Sequence, residues 1–267
     1  MRKPEVSSLL QRFQKRYRIG RRHIRPILLV FFSVAFIFSA AMIGSHYRQI
    51  AREEQKLKEL AAEHIPPLSV APTSREPVIL EQYRDLYARN SDLVGWIKIE
   101  GTVIDYPVMY TADDFYLDHD FDKNSARSGV PYIDKRCTVE PFGTNTIIYG
   151  HHMRQGTMFA SLERYEDEEF LKEHPIIRFD TLYEQQQFEI IAVFKSRIYR
   201  KRDKVFKHYN FLNAESKSDF ERYIDNIKAL SLHDTGRSAV YGDQLLTLST
   251  CAYHAKYGQF VVVARKK

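Results

Sequence analysis

Two side chains in this sequence could do nucleophilic chemistry together. Cys251 closes the apolar run QLLTLST at 244–250, and His151 follows the run NTIIYG at 145–150. A cysteine at a strand end, followed by a turn, can present its sulfur to a cleft. The thiolate is the reactive form, and an imidazole can take the thiol proton and later return it to a leaving amine. If both runs are strands, thiol and imidazole could meet across one barrel edge. The competing reading of Cys251 is a buried, inert core cysteine, and that of His151 is a surface histidine, one of ten in the chain. His152 is a rival, but successive strand residues face opposite ways, so only one of the two can face the cysteine. The only other cysteine, Cys137, sits in the polar stretch KRCTVEPFG and is assigned no role. Two cysteines are too few for a disulfide framework. A single Cys137–Cys251 bridge in an exported chain would compete with the nucleophile reading.

The elements that must position these residues follow from the texture of the chain. After Asn90, short apolar or alternating runs at 93–101, 103–109, 129–134, 145–150, 176–181, 188–196, 244–250 and 259–265 are separated by Gly, Asp, Asn and Pro. That spacing predicts an antiparallel sandwich or barrel. Helices are expected over 78–90, 157–173 and 218–230. The last has Phe220, Tyr223, Ile224, Ile227 and Leu230 at core-facing spacing, with Ser218 and Glu221 as a capping box. The fold class is therefore mostly β with helices.

Ahead of this body the composition shifts. Residues 26–44 carry no charge and would cover roughly 28 Å as a helix, about one hydrocarbon thickness. Nine basic residues precede them, opposed by Glu5 alone. Residues 1–25 thus carry +8 of a chain total of +6, and the remainder is near neutral at −2. The flank predicts a cytoplasmic tail at 1–25, a signal anchor at 26–44 and an external remainder. A cleaved signal peptide would need a shorter apolar region and a small-residue site, for which Ser39-Ala40-Ala41 is a weak candidate. Residues 45–77 read as a charged helical stalk followed by a Pro-marked linker, and 78–267 as the external folded domain. A near-neutral body argues against nucleic acid as a partner. Metal-ligand spacing, a phosphate-binding glycine loop and a nucleotide motif are all lacking, so no cofactor is expected.

TLSTC at 247–251 ahead of QFVVVA at 259–264, with IIYGHHM at 147–153 followed by GTMF, resembles the sortases of Gram-positive bacteria. GHH, GTMF, IEGTVIDYPVMY at 99–110 and FYLDHDF at 115–121 point to class B. The resemblance implies an eight-stranded β-barrel transpeptidase on the outer face of the membrane. Its thiolate cleaves a C-terminal sorting motif after Thr, and an amine of a peptidoglycan precursor or a pilin resolves the thioacyl enzyme. It implies Cys251 as nucleophile and His151 as acid–base partner. Ser249 and Thr250 would lie near the scissile carbonyl, Leu117 in the motif pocket, and the motif would be of the Asn-Pro-x-Thr type. The partners implied are secreted proteins bearing that motif.

Two departures stand out. The family's catalytic Arg position holds Gln259, and Tyr253 occupies the place of an acidic residue two after the cysteine. Gln259 would be a weaker donor, or a cation would come from elsewhere. The basic loop with Arg197, Arg200, Lys201, Arg202, Lys204 and Lys207 is the expected source; a solvated loop is the plainer reading of it. From other classes, a catalytically weak motif-binding protein and a simple thiol peptidase stay open.

Overall fold

In this computed structural model, residues 6–63, 78–252 and 255–267 are described, and side chains from residue 28 onward, with Pro26. The expected linker after residue 64 and Tyr253 lie outside the described residues. The chain divides into two compact units, 1–52 and 53–267.

The first unit belongs to a single helix, α1 (Val6–Glu63), which contains Pro26. Within it Leu28–Glu63 includes a window of mean hydropathy 2.3, long and apolar enough by length and composition to cross a membrane. The large apolar side chains between Leu28 and Ile43 are exposed.

The second unit is built on eight strands: β1 (Leu93–Lys98), β2 (Asp105–Met109), β3 (Tyr132–Ile133), β4 (Asn145–Tyr149), β5 (Ile176–Thr181), β6 (Gln187–Arg197), β7 (Leu245–Ala252) and β8 (Gly258–Lys266). They close into a barrel in the order β1-β2-β3-β4-β7-β8-β6-β5. Each predicted run contributes one strand. Most neighbours are antiparallel, but β2 and β3 pair in parallel at Met109 and Tyr132, and β4 and β7 run parallel from Asn145 opposite Leu245 to Tyr149 opposite Ser249. That pairing positions the site. Parallel strands end on the same rim, so the residues after β4 and at the end of β7 emerge side by side.

The barrel interior is filled by side chains such as Ile97, Ile148, Leu246, Leu248, Phe260 and Val262, while Trp96, on the other face of β1, stacks on Tyr83. The opposite face of β6, β7 and β8 is covered too. Helix α4 (Lys217–Leu230) lays Phe220, Tyr223, Ile224 and Ile227 against Phe194, Val261 and Val263. Burial on both faces explains why β8 reads as a continuous apolar run rather than an alternating one. The cap of helix α4 lies two residues earlier than its sequence suggests. Ser216, in extended conformation, is the cap, and its Oγ accepts the Asp219 N–H at 3.1 Å, so Ser218 and Glu221 do not form the cap. Helix α2 (Glu81–Arg89) matches the first expected helix. The helix expected over 157–173 is instead a 3-10 segment, Phe159–Glu166, followed by a short α3 (Glu168–Glu173) capped by Asp167. Apolar spacing of three suits both helix types, so periodicity alone does not separate them.

The last turns of α1 belong to the barrel unit. Leu57 and Leu60 are buried in its core, Lys56 Nζ lies 2.8 Å from Asp120 Oδ2, and Ser128 Oγ donates to Glu53 Oε2 at 2.9 Å.

Candidate active site

Cys251 and His151 line one cavity of about 390 Å³ at the barrel rim. Tyr149 pairs with Ser249, and the Gly150 N–H donates to the Ser249 carbonyl at 3.2 Å. Carrying that register two residues further sets His151 beside Cys251 at roughly one strand spacing, ~5 Å. Cys251 is exposed and unbonded to Cys137.

The imidazole is oriented from its far side. His151 Nε2 lies 2.7 Å from the carbonyl of Leu117. A carbonyl can only accept, so Nε2 carries the hydrogen, and in the neutral ring Nδ1 is the nitrogen free to take a proton. The turn presenting that carbonyl is firmly held. It is a 3-10 turn, Phe115–Leu117, whose central Tyr116 is fully buried and donates its OH to Asp92 Oδ2 at 2.8 Å. The rival His152 is engaged elsewhere: its Nε2 lies 3.1 Å from Glu163 Oε2.

Gln259 stands directly opposite Cys251 in the β7–β8 ladder and is buried. Directly opposed side chains have Cβ atoms about 5 Å apart. Its Oε1, the Ser249 Oγ and the Thr250 Oγ1 are buried and lack hydrogen-bond partners among the described residues. Buried polar atoms are normally satisfied; Ser249 and Gln259 share the thiol's face of the sheet, so their unsatisfied atoms mark a place where an extended peptide would complete the bonding, whereas Thr250 pairs with Phe260 and faces the other way. Leu117 also lines the cavity, with its side chain partly exposed.

The cation expected from the loop at 197–207 is not among the residues lining this cavity. The one arginine that lines it is Arg136, on the β3–β4 connection. It forks onto Asp134, Nε to Oδ1 at 2.9 Å and Nη2 to Oδ2 at 2.6 Å. Burial pushes the Asp134 carboxyl up, but its bonds from Arg136 outweigh this and hold it below the usual carboxylate range. Asp134, Arg136 and the tyrosines Tyr132 and Tyr149 that floor the groove were not singled out from sequence. The only signal was an Asp and an Arg two apart after a short apolar run. Cys137, by contrast, is buried, with its thiol pushed up to about 11 by desolvation.

A closed barrel with a thiol and an imidazole side by side on one rim has the makings of a cysteine acyl-transfer enzyme. Comparison with known proteins narrows this. Residues 97–267 match the sortase domain model. Sortase B of Listeria monocytogenes serovar 1/2a is 32% identical over 232 residues, covering 85% of this chain and 90% of that protein. Sortase B of Staphylococcus aureus is 31% identical over 224 residues, covering 83% of each. Among solved structures, a Staphylococcus aureus sortase B–substrate complex superposes with a TM-score of 0.70 at 29% identity, covering 82% of this chain and 98% of that one. Sortase B from Bacillus anthracis in complex with AAEK1 gives 0.69 at 29% identity, covering 82% and 98%. The chain belongs to the sortase family, class B, and is a cysteine transpeptidase.

Proposed function

We propose that this enzyme, held at the membrane by α1 with residues 1–25 in the cytoplasm and the barrel outside, joins secreted proteins to a cell-wall amine. Cys251 cleaves a C-terminal sorting motif of the Asn-Pro-x-Thr type after its Thr. The observation carrying this reading is the shared groove: an exposed sulfur, an imidazole with a fixed tautomer, and the unsatisfied polar groups of Ser249 and Gln259 on the same face. That a relative of the same fold is described as a sortase B–substrate complex also supports it.

The geometry supports the following sequence of steps. His151 Nδ1 takes the Cys251 proton, and the thiolate attacks the threonine carbonyl carbon. The oxyanion that forms is met by the Gln259 amide, which stands across the ladder from Cys251, with the Ser249 hydroxyl further back on the same face. The intermediate collapses to a thioester as the C–N bond breaks, and the imidazolium donates its proton to the departing amine. An incoming amine then attacks the thioester carbonyl and gives up a proton to His151, and the sulfur leaves. Leu117 offers an apolar contact for the motif, and its carbonyl keeps the ring turned for both proton transfers.

The test is intact-mass analysis of the full chain in detergent micelles, mixed with a peptide carrying an Asn-Pro-x-Thr motif. An acyl adduct on the wild type and none on Cys251→Ala is expected. Adding triglycine should divert product from hydrolysis to ligation. Hydrolysis without ligation would make the protein a thiol peptidase, and binding without any adduct would make it a motif-binding protein. A pilin lysine peptide that outcompetes triglycine would identify the acceptor as a pilin amine.

A further inference from the structure

The groove has a second end. From Cys251 it runs back along β7 and β4, over Ser249 and Tyr149, to Asp134 and Arg136. The backbone fixes its length. The Asp134 N–H donates to the Ile147 carbonyl at 2.9 Å, and Ile147 lies four residues before His151 on the neighbouring strand. At about 3.3 Å per residue this places the Asp134–Arg136 pair roughly 13 Å from the thiol end, the span of four extended residues. Arg136 is therefore too remote to stand in for a guanidinium at position 259.

Arg136 is prepared for a different task. Its Nη2 also donates to the Tyr209 carbonyl at 2.7 Å, so one guanidinium ties the β3–β4 connection to the loop between β6 and α4. Asp134 has nothing left to offer a ligand. Its Oδ1 already accepts the Arg136 backbone N–H at 3.0 Å and Nε, and its Oδ2 accepts Nη2 and the Tyr149 OH at 3.0 Å. What the pair presents to the groove is thus a donor alone. Nη1 carries two hydrogens and no partner among the described residues, on a side chain that is 45% exposed. The adjacent Lys135 is engaged by Asp114 at 3.1 Å. A rigid charged donor at the end of a peptide groove is matched by an oxygen acceptor and mismatched by an aliphatic group.

We infer that Arg136 is a specificity-determining residue for the peptide's fourth residue before the cleaved carbonyl, selecting there a side chain that ends in an oxygen acceptor, an amide or a carboxylate. This rests on the groove being the substrate site proposed above. It assigns Arg136 to recognition and not to the chemical step.

Binding to the full chain carrying Cys251→Ala, in detergent micelles, tests it without requiring turnover. Three fluorescent peptides differing only at that position, with Asn, Asp or Leu, are titrated by anisotropy. The Asn and Asp peptides should bind at least tenfold tighter than the Leu peptide. Adding Arg136→Met should remove the difference by weakening the Asn and Asp peptides, leaving the Leu peptide within about twofold. Arg136→Lys, a milder change should the methionine variant not fold, should lower the Asn preference at least fivefold. Equal binding of all three peptides, or a preference that persists in both variants, would overturn the inference. Separately, wild-type protein that binds with this preference but never forms an adduct would sink the transpeptidase mechanism and leave Arg136's role standing.

Discussion

An amide at position 259 offers a developing oxyanion two neutral N–H donors, where a guanidinium would offer five and a permanent charge. Because Gln259 lies directly across the ladder from Cys251, its replacement acts on the reacting centre. Gln259→Ala should lower kcat/KM for motif cleavage by about 10²-fold, the usual loss on removing one oxyanion donor. Gln259→Arg should raise the acylation rate, measured by quenched-flow mass spectrometry; a fall would mean the site has closed around the smaller group. At this scale the sequence was partly readable. Cys251 and His151 stood out because each ends an apolar run, and strand parity made His152 and His151 alternatives. Arg136 did not stand out, because it falls in an aperiodic connection and its partners, Asp134 and Tyr209, come together only when the barrel closes. The basic loop at 197–207 drew notice by its charge density, yet density says nothing of which cavity a cation lines.

Among the elements, the turn Phe115–Leu117 does most to set the chemistry, since its last carbonyl fixes the His151 tautomer. Gly129 makes that placement possible. Its φ is +54°, and a Cβ there would run into the carbonyls of Tyr116 and Leu117. Gly129→Ala must therefore shift the turn, on top of about 1 kcal/mol of backbone strain. The expected result is a fall in kcat/KM of at least tenfold, with a circular dichroism spectrum like that of the wild type. Unchanged kinetics would show that the Leu117 carbonyl is dispensable. The strands were legible because alternation and turn residues are local signals. The 3-10 segment Phe159–Glu166 and the Ser216 cap were not, because tertiary packing decides between helix types and shifts a cap by two residues.

The whole molecule responds to pH through a residue away from the thiol. His208 is buried beside Phe194 and Tyr209, neither ring nitrogen has a hydrogen-bond partner among the described residues, and burial lowers its pKa to about 3. Between the ordinary histidine value near 6.5 and that depressed value, the unfolded chain binds a proton that the folded chain refuses. Stability contributed by the neutral ring is thus complete above that window and declines as pH falls through it, at about 1.4 kcal/mol per pH unit. Urea denaturation at pH 7.5 and 5.5 should show this loss. It should be smaller in His208→Phe, which keeps the aromatic packing and removes the proton site; an equal loss in the variant would place the acid sensitivity elsewhere. The contrast between the two cysteines has a practical consequence. With one sulfur open to the groove and the other shielded and hard to ionise, the native protein carries a single alkylatable position. One equivalent of a thiol reagent therefore counts functional molecules, and uptake of a second equivalent reports unfolding, with no engineered label required.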